Sequence, residues 1–366
     1  MRRTLTAVLV TALLIAGCGG EAGEETTAPP TTAPVTTSPP ATAAATTATV
    51  AASTTTAATT EASTTTGGVA EVEVVKDLVY HPQTERLGEA RLDVYAPVGE
   101  EGGPVVVLLH GNAVDKEFSF GETSYPGLAR AIAGQGAVVF VPDWGKGQPV
   151  TDTTRDGLLD TVDGAACAVS YALAHAAEYG ADPGRLVLFG HSGGANVASL
   201  VALREATPLP ECAVEMTPFE VDGMVLWEGD WLASSAVPWD RYGDDLPLLM
   251  EGATPWAWLA TGPRMAVDLV TTERSRSEYK RCDLSDPETT YWLRDPDGWF
   301  RERLEAIGAL ADGCIDEGEQ TVILADTMRE QGFDVVELLL EDSTHTYLSP
   351  EDQALVVAEV IAIADR

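Results

Sequence analysis

The stretch Leu186-Val187-Leu188-Phe189-Gly190-His191-Ser192-Gly193-Gly194-Ala195-Asn196-Val197-Ala198 joins a short apolar run to Gly-x-Ser-x-Gly and then to a small-residue helical pattern. A serine at the apex of such a strand-to-helix turn is suited to one chemistry: attack on an electrophilic carbonyl carbon once a base takes its proton. The turn has to be tight, so the serine is expected in a strained backbone conformation. Gly190 and Gly194 suit it because a Cβ at either place would collide with the neighbouring strand or helix. The helix that follows points its first amides at the space where an oxyanion would form. Imidazole titrates in the range a general base needs, and the chain offers five: His81, His110, His175, His191 and His345.

The elements that must carry this turn read as alternating strands and helices. Val72 to Tyr80 and Ala90 to Pro97 alternate with period two and suggest an antiparallel start. Pro104 to Leu109 is a continuous apolar run, expected to be a buried central strand, and it ends in His110-Gly111-Asn112. A helix is expected around Tyr125 to Gly134, a strand over Ala137 to Val141, a long helix over about Asp156 to Tyr179, and then the serine strand. Asp222 to Trp227 is the next strand, and Met265 to Thr272 reads as a further one. Glu317 to Gln331 reads as a helix, Asp334 to Leu340 as the last strand and Glu351 to Ala364 as the closing helix. Strand and helix alternate, which predicts an α/β fold with a mostly parallel central sheet flanked by helices.

An insertion is expected at about 231–304, after the strand at 222–227. It carries Trp231, Trp239, Trp256, Trp258, Trp292 and Trp299, six of the eight tryptophans. These rings could wall a substrate pocket or fill the insertion's own small core, and the second role needs no ligand.

Composition divides the 366-residue chain near residue 70. Met1-Arg2-Arg3 is basic, Leu5 to Ala16 is apolar but too short to span a bilayer, and Ile15-Ala16-Gly17-Cys18 follows. This ending resembles a bacterial lipobox, which implies a signal peptide over 1–18 and a lipid on Cys18. Residues 19–68 are almost wholly Thr, Ala, Pro, Ser, Gly and Glu. Such a stretch buries too little apolar surface to offset its ordering entropy, so it is expected to be a disordered tether and a candidate for O-glycosylation. The folded domain is therefore expected over 69–366, outside the cytoplasm and attached to the cell membrane through Cys18. A net charge of −35 argues against nucleic acid and against adsorption to anionic lipid.

Over about residues 72 to 365 the chain resembles the α/β-hydrolase superfamily. Leu92-Asp93-Val94-Tyr95-Ala96-Pro97, His110-Gly111, Gly190-His191-Ser192-Gly193-Gly194 and the late His345 are similar to bacterial carboxylesterases of the acetyl-xylan and feruloyl esterase and hormone-sensitive-lipase-like groups. The resemblance implies the chain order nucleophile, acid, histidine, and with it Ser192 as nucleophile and His345, just past the final strand, as base. His191 adjoins the nucleophile and is expected to point away, and His81 and His175 lie outside any site-forming loop. Close relatives carry His-Gly-Gly-Gly where this chain reads His110-Gly111-Asn112-Ala113, so the oxyanion donors it implies are the backbone amides of Asn112 and Gly193. The chemistry calls for no cofactor and no metal.

The acid is expected in the loop between the penultimate strand and the helix near Glu317, which offers Glu273, Asp295, Asp297, Asp312 and Asp316. Ala311-Asp312-Gly313-Cys314-Ile315 with the later Gln320 resembles the family's acid segment and favours Asp312. Asp297 and Glu273 become credible if Met265 to Thr272 is the strand before the acid. The four cysteines after Cys18 allow three connectivities. Proximity in the expected topology pairs Cys167 with Cys212 and Cys282 with Cys314. The reading that results is a lipid-anchored serine carboxylic-ester hydrolase, with a non-catalytic hydrolase-fold envelope lipoprotein as the alternative. The ester itself and the oligomeric state do not follow from the sequence.

Overall fold

The computed structural model describes residues 70–82, 89–111, 114–121, 123–144, 155–229, 231, 255–273, 281–282, 314–315 and 317–366. All of them belong to one compact unit, Thr65–Arg366. The expected signal segment and tether lie outside the described residues.

In chain order the first elements are β1 (Val72–His81), β2 (Ala90–Pro97), β3 (Gly103–Leu109), β4 (Ser119–Phe120), β5 (Thr123–Ser124), α1 (Tyr125–Ala133) and β6 (Val138–Pro142). α2 (Arg155–His175), β7 (Ala181–His191), α3 (Gly193–Leu203), β8 (Gly223–Trp227) and β9 (Ala266–Thr272) follow. The chain closes with β10 (Arg281–Cys282), β11 (Cys314–Ile315), α4 (Glu317–Glu330), β12 (Asp334–Leu340) and α5 (Pro350–Ile363). Eight strands form one sheet in the order β1-β2-β6-β3-β7-β8-β9-β12. β2 runs antiparallel to both β1 and β6, and every other pairing in the sheet is parallel.

The apolar run of β3 is buried throughout because both faces of the sheet are covered. Successive side chains leave a strand on opposite faces, and this sorts them into two cores. Val105, Val107 and Leu109 pack with residues of α2, α3 and α4, whereas Val106 and Leu108 pack with Leu128 and Ile132 of α1 and with Val356 and Val360 of α5. Each such side chain contributes about 1.5–3 kcal/mol of apolar burial. α1 and α5 are capped alike: Ser124 Oγ accepts from Gly127 N–H, Ser349 Oγ accepts from Asp352 N–H, and a proline stands in each first turn.

The elements fall where the sequence pattern puts them, with ends shifted by a residue or two. Two departures are local: the serine strand starts earlier, at Ala181, and the long helix gives way at Ala176–Tyr179 to a 3-10 turn. Among the described residues no helix is long and apolar enough to cross a membrane.

A disulfide joins Cys167 of α2 to Cys212, as the topology suggested. It fastens the helix before the serine strand to the segment after the serine helix. β10 and β11 pair antiparallel with Cys282 directly opposite Cys314, the backbone arrangement expected of the second pair. Peptide mapping without reduction should therefore return both linked peptides, and a free thiol at Cys282 or Cys314 would contradict the second link. Replacing Cys167 and Cys212 by alanine should cost about 4 kcal/mol by chain entropy for a sequence separation of 45, read from denaturant midpoints.

Candidate active site

The carboxyl ends of β7 and β8 stand at one level of the sheet, because His191 pairs with Trp227. Ser192 and Glu228 are the next residue on each strand. Ser192 N–H donates to Trp227 O at 2.8 Å and Glu228 N–H donates to Val270 O at 2.8 Å, so both leave the sheet under hydrogen-bond control. Ser192 has φ +56° and ψ −125°, and Glu228 has φ +48°. Side chains with a Cβ rarely adopt such a φ, and each position costs about 1–3 kcal/mol that the surroundings must offset.

The close packing behind Ser192 explains its conformation. A Cβ on Gly190 would lie 2.4 Å from Gly194 O, and one on Gly194 would lie 2.1 Å from Leu109 O. Only glycine lets α3 approach β7 and β3 this closely, and the approach rotates the serine out of the sheet.

His345 arrives from the loop between β12 and α5. Its Nε2 is 3.0 Å from Ser192 Oγ and its Nδ1 is 3.0 Å from Glu228 Oε2. Thr344 and Tyr347 exchange backbone hydrogen bonds at 2.8 and 3.2 Å, and the Tyr347 ring fills the space beside Gly121 that a Cβ would need. Ser343 Oγ donates to Asp352 at 2.6 Å and accepts from Ser349 N–H at 3.0 Å, tying the loop to the first turn of α5.

Glu228 is buried, with a side chain fully withdrawn from solvent. Its Oε1 accepts from Thr272 N–H at 2.9 Å and from the Thr272 hydroxyl, leaving Oε2 to face the imidazole. A buried carboxylate persists only with such partners. The next residues are fastened as well: the Trp231 ring occupies the space beside Gly229, its N–H donates to Gln320 Oε1 at 3.2 Å and its indole N–H to Thr321 Oγ1 at 3.0 Å. Trp231 is thus core, not pocket wall; Trp239, Trp292 and Trp299 lie outside the described residues.

The turn after β3 lies alongside. A Cβ on Gly111 would come within 3.3 Å of Ser192 Cβ. Gly111 N–H donates to Tyr125 Oη at 2.7 Å, and Gly111 O is 2.8 Å from His110 Nδ1. His110 stacks on Trp144, whose indole N–H donates to His110 O at 2.9 Å. Further along, the buried Lys116 ammonium sits between Asp77 and Asp93, holding this segment against β1 and β2.

His191, Glu228 and His345 present ring nitrogens and a carboxylate within 4.8 Å of one another, a spacing that could hold a metal ion. Each of these nitrogens already has a nearer neighbour: His345 Nε2 bonds Ser192 and its Nδ1 lies 3.0 Å from Glu228 Oε2, and His191 bonds Tyr125 and the His345 backbone. The cluster reads as a hydrogen-bonded network.

The family model described as BD-FAE matches residues 92–227, from β2 to the end of β8. Among solved structures, the hyperthermophilic esterase from Pyrobaculum calidifontis superposes with a TM-score of 0.50 at 17% identity, covering 81% of this chain and 85% of that one. The chain has the α/β-hydrolase fold. Esterase B from Lactobacillus rhamnosis, solved with a tributyrin phosphonate inhibitor, gives a TM-score of 0.50 at 14% identity over 80% of this chain and 86% of its own. At these identities the likeness is one of fold. A search of curated protein sequences finds no match.

Placed in this α/β-hydrolase frame, Ser192 and His345 meet as the sequence led one to expect, and Gly193 opens α3 behind the serine. Asn112 lies outside the described residues, as do Asp312, Asp295, Asp297 and Asp316. Among the described residues the carboxylate beside His345 Nδ1 is Glu228, at the end of β8, a residue the sequence reading did not single out. Glu273, the described residue of the loop after β9, is exposed. The end of β9 is taken by Thr272, which binds the carboxylate instead of supplying it. A signal was present: Glu228 directly follows the apolar run Met224-Val225-Leu226-Trp227 and precedes a glycine, the same strand-end position that Ser192 holds on β7.

Glu228→Gln keeps the shape and removes the charge, so fluorophosphonate labelling of Ser192 should slow by about 10³–10⁴-fold with little change in melting temperature. Asp312→Asn should label at the wild-type rate, and the reverse pattern would return the role to Asp312.

Proposed function

We propose that the protein is an extracytoplasmic, lipid-anchored serine hydrolase that cleaves carboxylic esters through an acyl-enzyme on Ser192. The observation that carries this reading is the unbroken Ser192–His345–Glu228 chain, 3.0 Å at each link, at the carboxyl edge of a parallel sheet. Ser192 Oγ attacks the ester carbonyl while His345 Nε2 takes its proton. Glu228, held by Thr272, steadies the imidazolium through Nδ1. The oxyanion is met by backbone amides, with Gly193 and Asn112 as the donors, and its charge is further favoured by the first turn of α3. Collapse breaks the bond to the alkoxy group, which leaves as an alcohol with the proton from His345. Water then attacks the acyl-enzyme by the same route and releases the acid.

The BD-FAE match and the esterases among the solved neighbours support a carboxylic ester as the substrate class. The basic start, the short apolar run and Cys18 support export and lipid attachment, with residues 19–68 as the tether between anchor and enzyme.

Ser192→Ala should lower ester hydrolysis by several orders of magnitude at unchanged melting temperature, and full activity in that variant would refute the acyl-enzyme. Cys18→Ser should move the protein from the membrane fraction to the soluble fraction after cell disruption. Retention in the membrane fraction would remove the lipid from this account.

A further inference from the structure

One buried imidazole touches the supports of every part of the site. His191 is the last residue of β7 and the covalent neighbour of Ser192. Its ring stacks on Trp227, the residue before Glu228, with centroids 4.0 Å apart and planes at 28°. Its Nε2 lies 2.9 Å from the backbone oxygen of His345, and its Nδ1 lies 2.7 Å from Tyr125 Oη. The same phenol oxygen lies 2.7 Å from Gly111 N–H in the turn that precedes Asn112.

The partners fix the direction of every hydrogen in this chain. A carbonyl oxygen only accepts, so His191 Nε2 carries the proton and donates to His345 O. In the neutral ring Nδ1 is then an acceptor, and Tyr125 donates to it. The phenol oxygen in turn accepts from Gly111 N–H. Burial keeps the Tyr125 phenol protonated far above neutral pH, and burial, with the rings of His345 and His110 nearby, holds the His191 imidazole well below its usual titration range.

We propose that His191 and Tyr125 are positioning residues that set the spacing between the oxyanion turn, the nucleophile, the acid and the base, and that they do so only through the neutral Nε2–H form of His191. The proposal rests on the serine-hydrolase reading above. A second proton on His191 would sit at Nδ1 against Tyr125, leaving the phenol hydrogen without its acceptor in a buried site. The groups that face the ring are Tyr125 from α1, His110 from the end of β3, Glu228 from the end of β8 and His345 from its own loop.

Two measurements test this, one of them independent of turnover. Long-range ¹H–¹⁵N spectra of the full chain should show His191 as the neutral Nε2–H tautomer, unchanged as the pH is taken through 6.5, the ordinary imidazole midpoint. In Tyr125→Phe the ring resonances of His345 should shift. A charged or Nδ1–H His191 at neutral pH, or unmoved His345 signals, would overturn the proposal even in a protein that hydrolysed nothing. In the second measurement, with p-nitrophenyl acetate, Tyr125→Phe should lower kcat about tenfold to a hundredfold and leave KM within about twofold. His191→Gln, which keeps an N–H within reach of His345 O, should retain more activity than His191→Leu. Tyr125→Phe combined with His191→Leu should be no slower than His191→Leu alone, because the two act in series. Wild-type kcat in both Tyr125→Phe and His191→Leu, beside an inactive Ser192→Ala, would refute the positioning role and leave the serine mechanism standing. An inactive wild type would instead count against the serine mechanism, with the spectra still deciding the role of His191.

Discussion

The contact between α3 and the two strands beneath it governs the rest of the molecule. With backbone atoms 2.1 and 2.4 Å from where Cβ atoms would sit on Gly194 and Gly190, the helix starts as close to the sheet as a polypeptide can. That approach turns Ser192 to φ +56° and brings Gly111 beside it. The strain is offset by packing, since all eleven residues of α3 are buried. A chain lacking either glycine would have to lift the helix, and Ser192 would move with it.

Once Ser192 N–H is bonded to Trp227 O, the end of β8 is committed too. Glu228 is delivered to the level of Ser192 by sheet register, and its charge becomes tolerable in the interior because Thr272 supplies two donors while His345 supplies the third contact. Stability and chemistry draw on the same bonds here. Removing a donor from Glu228 would leave a buried charge short of partners, an expensive state in a low-dielectric interior.

Much of this was legible in the chain. The elbow, its glycines, the sheet's strands and the late histidine all announce themselves locally, through apolar runs and a few residues that tolerate a tight turn. Glu228 did not, because its place beside His345 depends on which strand ends stand side by side, which no local pattern records. His191 shows a related limit. Its place beside the serine was plain, yet its bonds run to Tyr125 and to the backbone of His345, 66 and 154 residues away. Nothing in the local pattern distinguishes that imidazole from an idle one. Trp231 belongs here as well: as a member of an aromatic-rich stretch it could have lined a pocket, but the glycine at 229 has its space taken by the indole, which marks the ring as a structural brace for the acid's strand end.

The place of Glu228 at the end of β8 also ties its orientation to elements far along the chain. The carboxylate is clamped by β9 and by the His345 loop, and Gln320 and Thr321 of α4 secure the Trp231 backbone and indole three positions on. The seat of α4 against the sheet is thereby coupled to the orientation of Glu228.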